Sequence, residues 1–317
     1  MNSLPARDET ASGPVSAQEG KFGHRQQARP ISFDVSGSLQ LLWQILNRAY
    51  WGIEARRVNR GPGEMGNYMS VSAATRGRTS VAWGGICPLG DPAAREPARV
   101  VESGKAGRFS RPRTVAGTKC PSAGIELERD PAGRSYLLVE GSLSDRQTVR
   151  VSTRKARQWF APAKVLNTED SSAVVGEMTL SPSGVATVIW QDLQPRIGGI
   201  QPAISYSYSR ATRRSGFSRA TKLPIEADNH YLIGASATSG SRVIVLWQRL
   251  SDFSIVSSTI VGRVMKPTEF VAQPSDTDSL VTGSIVGRPS GALALWSERD
   301  RTSGSLVDLA FADCSRC

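Results

Sequence analysis

Residues 180–190 read LSPSGVATVIW, in which a turn containing Gly184 separates two apolar runs and the second run ends on Trp190. Five related stretches occur elsewhere in the chain. They read FDVSGSLQLLW at 33–43, VSAATRGRTSVAW at 71–83, LERDPAGRSYLLV at 127–139, ASATSGSRVIVLW at 235–247 and VGRPSGALALW at 286–296. The Trp position, which holds Val139 in the third copy, recurs every 51 residues or so. A recurrence of this length is the signature of a repeat architecture.

A second motif keeps the same period. It is a Phe followed by Ser or Ala at Phe109, Phe160 and Phe217, with less complete copies at Phe22 and Phe270. Between these motifs the chain alternates polar and apolar residues, as in TVRVSTR at 148–154, ISYSYSR at 204–210 and STIVGR at 258–263. Alternation with a period of two indicates half-buried β-strands. Each unit is therefore expected to hold four short strands: one around the Phe, one before the Gly, one that ends at the Trp and one that ends near an Arg.

Four antiparallel strands in about 50 residues are the size of a propeller blade. The sequence therefore predicts an all-β fold, a six-bladed β-propeller of four-stranded antiparallel blades that spans residues 21–312. Residues 1–20 are expected to form a disordered N-terminal tail and residues 313–317 a C-terminal tail with a C-x-x-C. Since one sheet cannot bury both its faces alone, we expect each Trp to wedge between blades and each Phe to plug their outer part. A pair of β-sandwiches is the alternative architecture.

The order of these motifs resembles the repeat of the sialidase-like β-propellers, the bacterial neuraminidase repeat or Asp-box superfamily. The nearest copies are SRATRRSGFS at 209–218 and SGKAGRFS at 103–110. The complete Asp-box reads Ser-x-Asp-x-Gly-x-Thr-Trp, and its Asp is missing from every unit. The resemblance covers about residues 20–312 and implies a propeller fold. The arginine triad, the Tyr/Glu pair and the acid/base Asp of true sialidases match no positions here residue by residue.

Propellers bind ligands at a rim, where loops from every blade converge near the central channel. The residues that follow the Trp position are expected to form a polar ring there: Gln44, Gly84, Glu140, Gln191, Asp192, Gln248, Ser297 and Glu298. Glu140, Asp192 and Glu298 are its candidate acid–base residues, while a solvated ring of turns is the interpretation we favour. The candidate glycan-binding residues end the alternating strands: Arg57, Arg154, Arg210 and Arg263. Their alternative role is to protect exposed sheet edges.

The chain has 39 Lys and Arg against 28 Asp and Glu, a net charge of +11 that attracts polyanions. Scattered Arg residues also fit a GC-rich genome. The four cysteines, Cys87, Cys120, Cys314 and Cys317, permit two disulfides in three connectivities. With His24 and His230 as the only histidines, the sequence predicts no metal site and no Ser–His–Asp centre, and it carries no cofactor motif.

No apolar run reaches the roughly 18 residues of a membrane helix, so we expect no membrane insertion. No secretory signal is visible at the N-terminus, whereas the fold resemblance favours an extracellular protein. The leading hypothesis is a monomeric, non-catalytic propeller that presents its rim to a protein or a glycan. A glycoside hydrolase or lyase of sialidase-like fold is the alternative, and a polyanion-binding protein is the second alternative.

Overall fold

The chain was studied as a computed structural model. It describes residues 32–33, 39–40, 69–74, 78–84, 96–102, 110–121, 124–130, 132–143, 146–194, 203–212, 215–238, 242–274, 280–288, 291–299 and 306–314. These ranges contain β-strands, turns and one 3₁₀ turn at Ala227–Asn229, so the all-β prediction is confirmed. No helix among them is long and apolar enough to cross a membrane.

The strands form a two-stranded ribbon and five antiparallel sheets, which we number I to V in chain order. The ribbon contains β1 (Ser32–Phe33) and β2 (Leu39–Gln40). Sheet I contains β3 (Met69–Ala74), β4 (Arg78–Trp83), β5 (Pro97–Glu102) and β6 (Arg113–Lys119). Sheet II contains β7 (Gly124–Arg129), β8 (Ser135–Leu143), β9 (Arg146–Arg154) and β10 (Lys164–Val165).

The other three sheets follow the same plan. Sheet III contains β11 (Ser172–Leu180), β12 (Ala186–Gln194), β13 (Ala203–Ala211) and β14 (Thr221–Lys222). Sheet IV contains β15 (His230–Ala237), β16 (Val243–Arg249), β17 (Ile255–Val261), β18 (Val264–Met265) and β19 (Glu269–Ala272). Sheet V contains β20 (Leu280–Arg288), β21 (Gly291–Arg299) and β22 (Leu306–Cys314). Consecutive strands are neighbours in every sheet, except that β19 pairs with β17.

The glycine of the repeat builds the turn between the first and second strands. Gly133 and Gly184 have φ angles of 83° and 80°, in the left-handed region that glycine enters without steric cost. In both turns a polar side chain accepts a backbone N–H. The Asp130 carboxylate accepts from the amide of Arg134 at 2.7 Å, and the Ser181 hydroxyl accepts from the amide of Val185 at 3.0 Å. In sheets II and III the motif therefore encodes the hairpin between the first two strands.

Three repeat tryptophans pack against the preceding sheet. Trp190 of sheet III shares a buried cluster with Tyr136 of sheet II. Trp247 of sheet IV meets Tyr206 of sheet III, with ring centroids 4.9 Å apart. Trp296 of sheet V lies in a cluster with residues of sheet IV. The predicted wedge between sheets is confirmed at these three positions.

Three copies of the Trp position remain: Val139, Trp83 and Trp43. Val139 of sheet II lies in the buried cluster shared with sheet I, so its smaller side chain takes the same place. Trp83 is fully buried as well. Trp43 lies outside the described residues.

Sheet II buries both of its faces. Leu137 and Val139 face sheet I, whereas Tyr136 and Leu138 face sheet III. Sheets III and IV likewise contribute to one cluster on each side. The first strands also follow one another, because β3 contacts β7, β7 contacts β11, β11 contacts β15 and β15 contacts β20. In a pair of sandwiches each sheet would bury one face, so that alternative is wrong, and the sheets stack successively as blades do.

The Phe of the second motif is packed between sheets in two copies and exposed in a third. Phe160 is buried between sheets I and II, and the half-buried Phe217 meets Tyr136 edge-on with centroids 6.2 Å apart. Phe270, however, is 67% exposed in β19, so the predicted plug is wrong at that position. Phe22 and Phe109 lie outside the described residues.

The strands differ in detail from the predicted unit. Trp190, Trp247 and Trp296 lie inside their strands rather than at the ends, because pairing with the next strand continues beyond them. Phe160 and Phe217 precede the short outer strand instead of lying in it. Among the described residues the sheets have four, four, four, five and three strands.

Candidate functional site

The first strand of sheet II carries two carboxyl groups on one face. In β7, Ile125 and Leu127 are buried against sheet I, so the alternating Glu126 and Glu128 project to the opposite face. That face lies toward sheet III, because the Glu126 Oε2 atom accepts a hydrogen bond from the Met178 amide of β11 at 2.7 Å. The Cα atoms of residues two apart on a strand are about 6.6 Å apart, so the two side chains are neighbours on this face.

The environment of Glu128 favours its protonated form. Burial raises the pKa of Glu128 to about 8, and the nearby Glu126 carboxylate raises it further, against a smaller lowering by the Arg129 amide. At neutral pH Glu128 therefore carries a proton. Two carboxyl groups whose environments separate their proton affinities are the usual arrangement of a general acid and its partner.

Glu140 lies beside the beginning of the same strand. It is opposite Gly124 in the β7–β8 register and only 7% exposed. A Cβ atom on Gly124 would lie 2.6 Å from Glu140 Oε1, and one on Gly176 of β11 would lie 3.4 Å from the same atom. The carboxyl group is thus accommodated by two glycines, one from sheet II and one from sheet III. We call Glu126, Glu128 and Glu140 the carboxyl cluster.

Asp192 has a different environment. It is 7% exposed, and its Oδ1 atom accepts hydrogen bonds from the Trp190 indole at 2.8 Å and from the Ser171 hydroxyl at 3.0 Å. The carboxylate therefore fixes the wedge tryptophan of its own sheet. Glu298 lies in β21 opposite Val281, and its side chain is outside the described residues.

The polar ring predicted after the Trp position is partly internal. Gln248 is fully buried, and the Gln191 amide donates to the Tyr206 hydroxyl at 3.4 Å. His230 is also buried, with Nδ1 2.8 Å from the Glu226 carbonyl oxygen. Among the described residues, no three Asp, Glu, His or Cys side chains are grouped so that they could hold a metal ion.

The Arg candidates contact the protein itself. Arg154 is buried, forms an ion pair with Glu102 of sheet I and lies 5.1 Å from the Phe160 ring centre. This ion pair holds the pKa of Glu102 below its ordinary value. Arg210 donates to the Gly262 carbonyl of sheet IV at 2.6 Å. Both guanidinium groups thus link neighbouring sheets.

The remaining candidates are placed as follows. Arg263 is exposed in the turn between β17 and β18, and Arg57 lies outside the described residues. Cys120 is fully buried and disulfide-bonded. Cys87 and Cys317 lie outside the described residues, as does the side chain of Cys314.

Sequence reasoning missed Glu126 and Glu128. The signal was present in the run IELE at 125–128, where two carboxylates alternate with two apolar residues just before a repeat turn. Only the position of β7 as a first strand, packed against β11, distinguishes these residues from solvent-facing glutamates.

Comparison with known proteins gives a likeness of structure only. No protein-family profile matches the sequence, and no curated protein is detectably similar. A protein of unknown function from Dyadobacter fermentans is 12% identical, with 77% of this chain and 75% of that chain covered and a TM-score of 0.50. A polysaccharide lyase, an ulvan lyase, is 10% identical, with coverage of 80% and 73% and a TM-score of 0.51.

A Hadza microbial sialidase aligns more distantly, at 11% identity over 77% of this chain and 55% of that chain, with a TM-score of 0.46. The first two likenesses show the fold alone. The chain has a propeller-type arrangement of antiparallel sheets.

Proposed function

We propose that the protein is a propeller enzyme that cleaves an acidic polysaccharide by hydrolysis or by elimination. The observation that carries this proposal is the carboxyl cluster, in which protonated Glu128 lies on the same strand face as the Glu126 carboxylate. The structural likeness to a polysaccharide lyase supports it. The enzymatic alternative therefore takes precedence over the non-catalytic interpretation favoured by the sequence.

The chemistry follows from the protonation states. Glu128 donates its proton to the glycosidic oxygen as the C–O bond breaks. In hydrolysis, the carboxylate of Glu126 takes a proton from the attacking water. In elimination from a uronate, the carboxylate takes the proton next to the sugar carboxyl group, and the product gains a C=C bond. The net charge of +11 favours an acidic chain as substrate.

The proposal includes a closed ring of six blades over residues 21–312, flanked by tails at 1–20 and 313–317. The six copies of the repeat and the ordered contacts between first strands support it. The contact of β1 with β3 supports assigning the first blade to the chain around the ribbon. Glu298, Arg57 and Arg263 are proposed to lie on the rim of this ring.

The test is a cleavage screen on uronate-containing and sulfated polysaccharides. New reducing ends report cleavage of either kind, and ultraviolet absorbance by a C=C bond reports elimination only. We expect Glu128→Gln to reduce turnover at least 100-fold, and the matched variant Glu169→Gln, at an exposed position, to leave it unchanged. Full activity of folded Glu128→Gln would refute the assignment.

A non-catalytic binding propeller is the second candidate. Two of the predicted rim residues support it, because Asp192 hydrogen-bonds to Trp190 and Arg154 forms an ion pair with Glu102 within the protein. Polysaccharide binding by the wild-type chain without any cleavage would select this candidate.

A further inference from the structure

A basic surface lies on the outer side of sheets I and II, away from the carboxyl cluster. It is formed by two segments, residues 110–119 and residues 155–165, which contain six Lys or Arg and no Asp or Glu. All six cationic side chains are exposed: Arg111, Arg113, Lys119, Lys155, Arg157 and Lys164. We call these six side chains the basic strip.

The two segments form one continuous surface. The Ala163 amide donates to the Ala116 carbonyl at 2.8 Å, and the Trp159 indole donates to the Thr114 carbonyl at 3.1 Å. The Arg113 guanidinium lies 3.9 Å from the centre of the Trp159 ring. These contacts hold the two segments beside one another and fix the Arg113 side chain against Trp159. The strand β6 alone spans about 23 Å at 3.3 Å per residue.

A buried arginine adds positive charge beneath this surface. Arg150 is 1% exposed, and it donates to the carbonyl oxygens of Gly117 and Lys119 at 3.2 and 2.8 Å. Its Nε and Nη2 atoms have no hydrogen-bond acceptor. Burial lowers the pKa of Arg150 to about 10, so the group still carries its charge at neutral pH.

Within the described part of the chain, the acidic side chains near the strip have other partners or lie beyond it. Glu96, which precedes the strand beside Lys119, pairs with Arg99 at 3.3 Å. Glu102 is paired with Arg154, which lies outside the strip. Glu169 and Asp170 follow the second segment, on the connection to sheet III. Among the residues that the structure describes, the six cations of the strip have no carboxylate ion-pair partner. Such a surface raises the local concentration of polyanions.

We propose that the basic strip is a binding surface for an acidic polysaccharide, separate from the carboxyl cluster. It would hold a sulfated or uronate-rich chain through its Lys and Arg side chains, while the cluster acts on the same class of polymer. The polymer bound by the strip is of the same class as the substrate in the proposed function. Single-stranded nucleic acid is less favoured, because it binds by stacking on open aromatic faces and Arg113 covers one face of Trp159.

The test compares two triple variants that change the net charge equally. Lys119→Glu/Lys155→Glu/Lys164→Glu alters the strip without touching the Arg113–Trp159 stack. The control, Arg219→Glu/Lys222→Glu/Lys266→Glu, alters exposed positions on sheets III and IV. Heparin is the probe, and a short single-stranded DNA is the competing polyanion. Binding is measured in the Glu128→Gln background so that cleavage does not interfere.

We expect the strip triple to bind heparin at least tenfold more weakly and to show a shallower dependence on salt, with the control close to the parent. Equal weakening by both triples would show that overall charge alone acts and would overturn the proposal. Unchanged binding by the strip triple would overturn it too, as would tighter binding of DNA than of heparin. Loss of binding by the strip triple, together with no cleavage by the wild-type protein in the polysaccharide screen, would support the strip and refute the proposed enzyme.

Discussion

Replacing Trp190 by Ala tests whether the repeat tryptophans hold successive sheets together. The indole is fully buried between sheets II and III and donates to Asp192. A buried Trp removes about 200 Å² from water, which at about 25 cal/mol per Å² corresponds to about 5 kcal/mol. We therefore expect Trp190→Ala to lower the free energy of unfolding by about 3–5 kcal/mol.

The assay is thermal and urea unfolding followed by circular dichroism. A loss of this size corresponds to a fall in Tm of about 5–15 °C. Trp190→Phe keeps most of the packing but leaves Asp192 without its indole donor, so we expect an intermediate loss of about 1–3 kcal/mol. The control is Phe270→Ala, since Phe270 is 67% exposed and its removal should change stability by less than about 0.5 kcal/mol. Equal effects of Trp190→Ala and Phe270→Ala would refute the wedge.

Two further predictions concern the carboxyl cluster. Gly124→Ala places a Cβ atom 2.6 Å from Glu140 Oε1, so we expect the free energy of unfolding in urea to fall by about 1–3 kcal/mol and the activity to fall as well. The neutral control is Gly216→Ala, whose Cβ atom meets no atom within 4 Å, and equal effects of the two substitutions would contradict this account. Because folding raises the pKa of Glu128 from 4.5 to about 8, the folded state binds the extra proton, and this stabilisation is complete below pH 4.5 and lost as pH rises to about 8. Glu128→Gln should remove that pH dependence of Tm, and an unchanged profile would argue against it.

Much of the architecture could be predicted from the sequence because the repeat contains residues with strict conformational or packing requirements. Gly133 and Gly184 mark hairpins, since few other residues enter their backbone conformation without strain. The Trp spacing predicted the contacts between sheets, because an indole is too large to bury in one sheet alone. The short outer strands were less predictable. β10, β14 and β18 have two residues each, too few to show a periodic pattern.

The site was harder to predict than the fold. Glu140 was found because it follows the Trp position, but its glycine surroundings come from two different sheets. Asp192 has the same kind of sequence position, yet it hydrogen-bonds to Trp190 and Ser171. The difference between the two carboxylates depends on which neighbours the folded chain supplies, and a repeat pattern contains no information about that.

The most direct test of the proposed site is the titration of Glu128 by carbon-13 NMR of the side-chain carboxyl groups, with the Glu128→Gln variant used to assign its signal. A midpoint near 8, with the proton retained at neutral pH, is the predicted result. A midpoint near 4.5, the ordinary value for Glu, would show that the group is ionised at neutral pH and would remove the general acid on which the proposed cleavage depends.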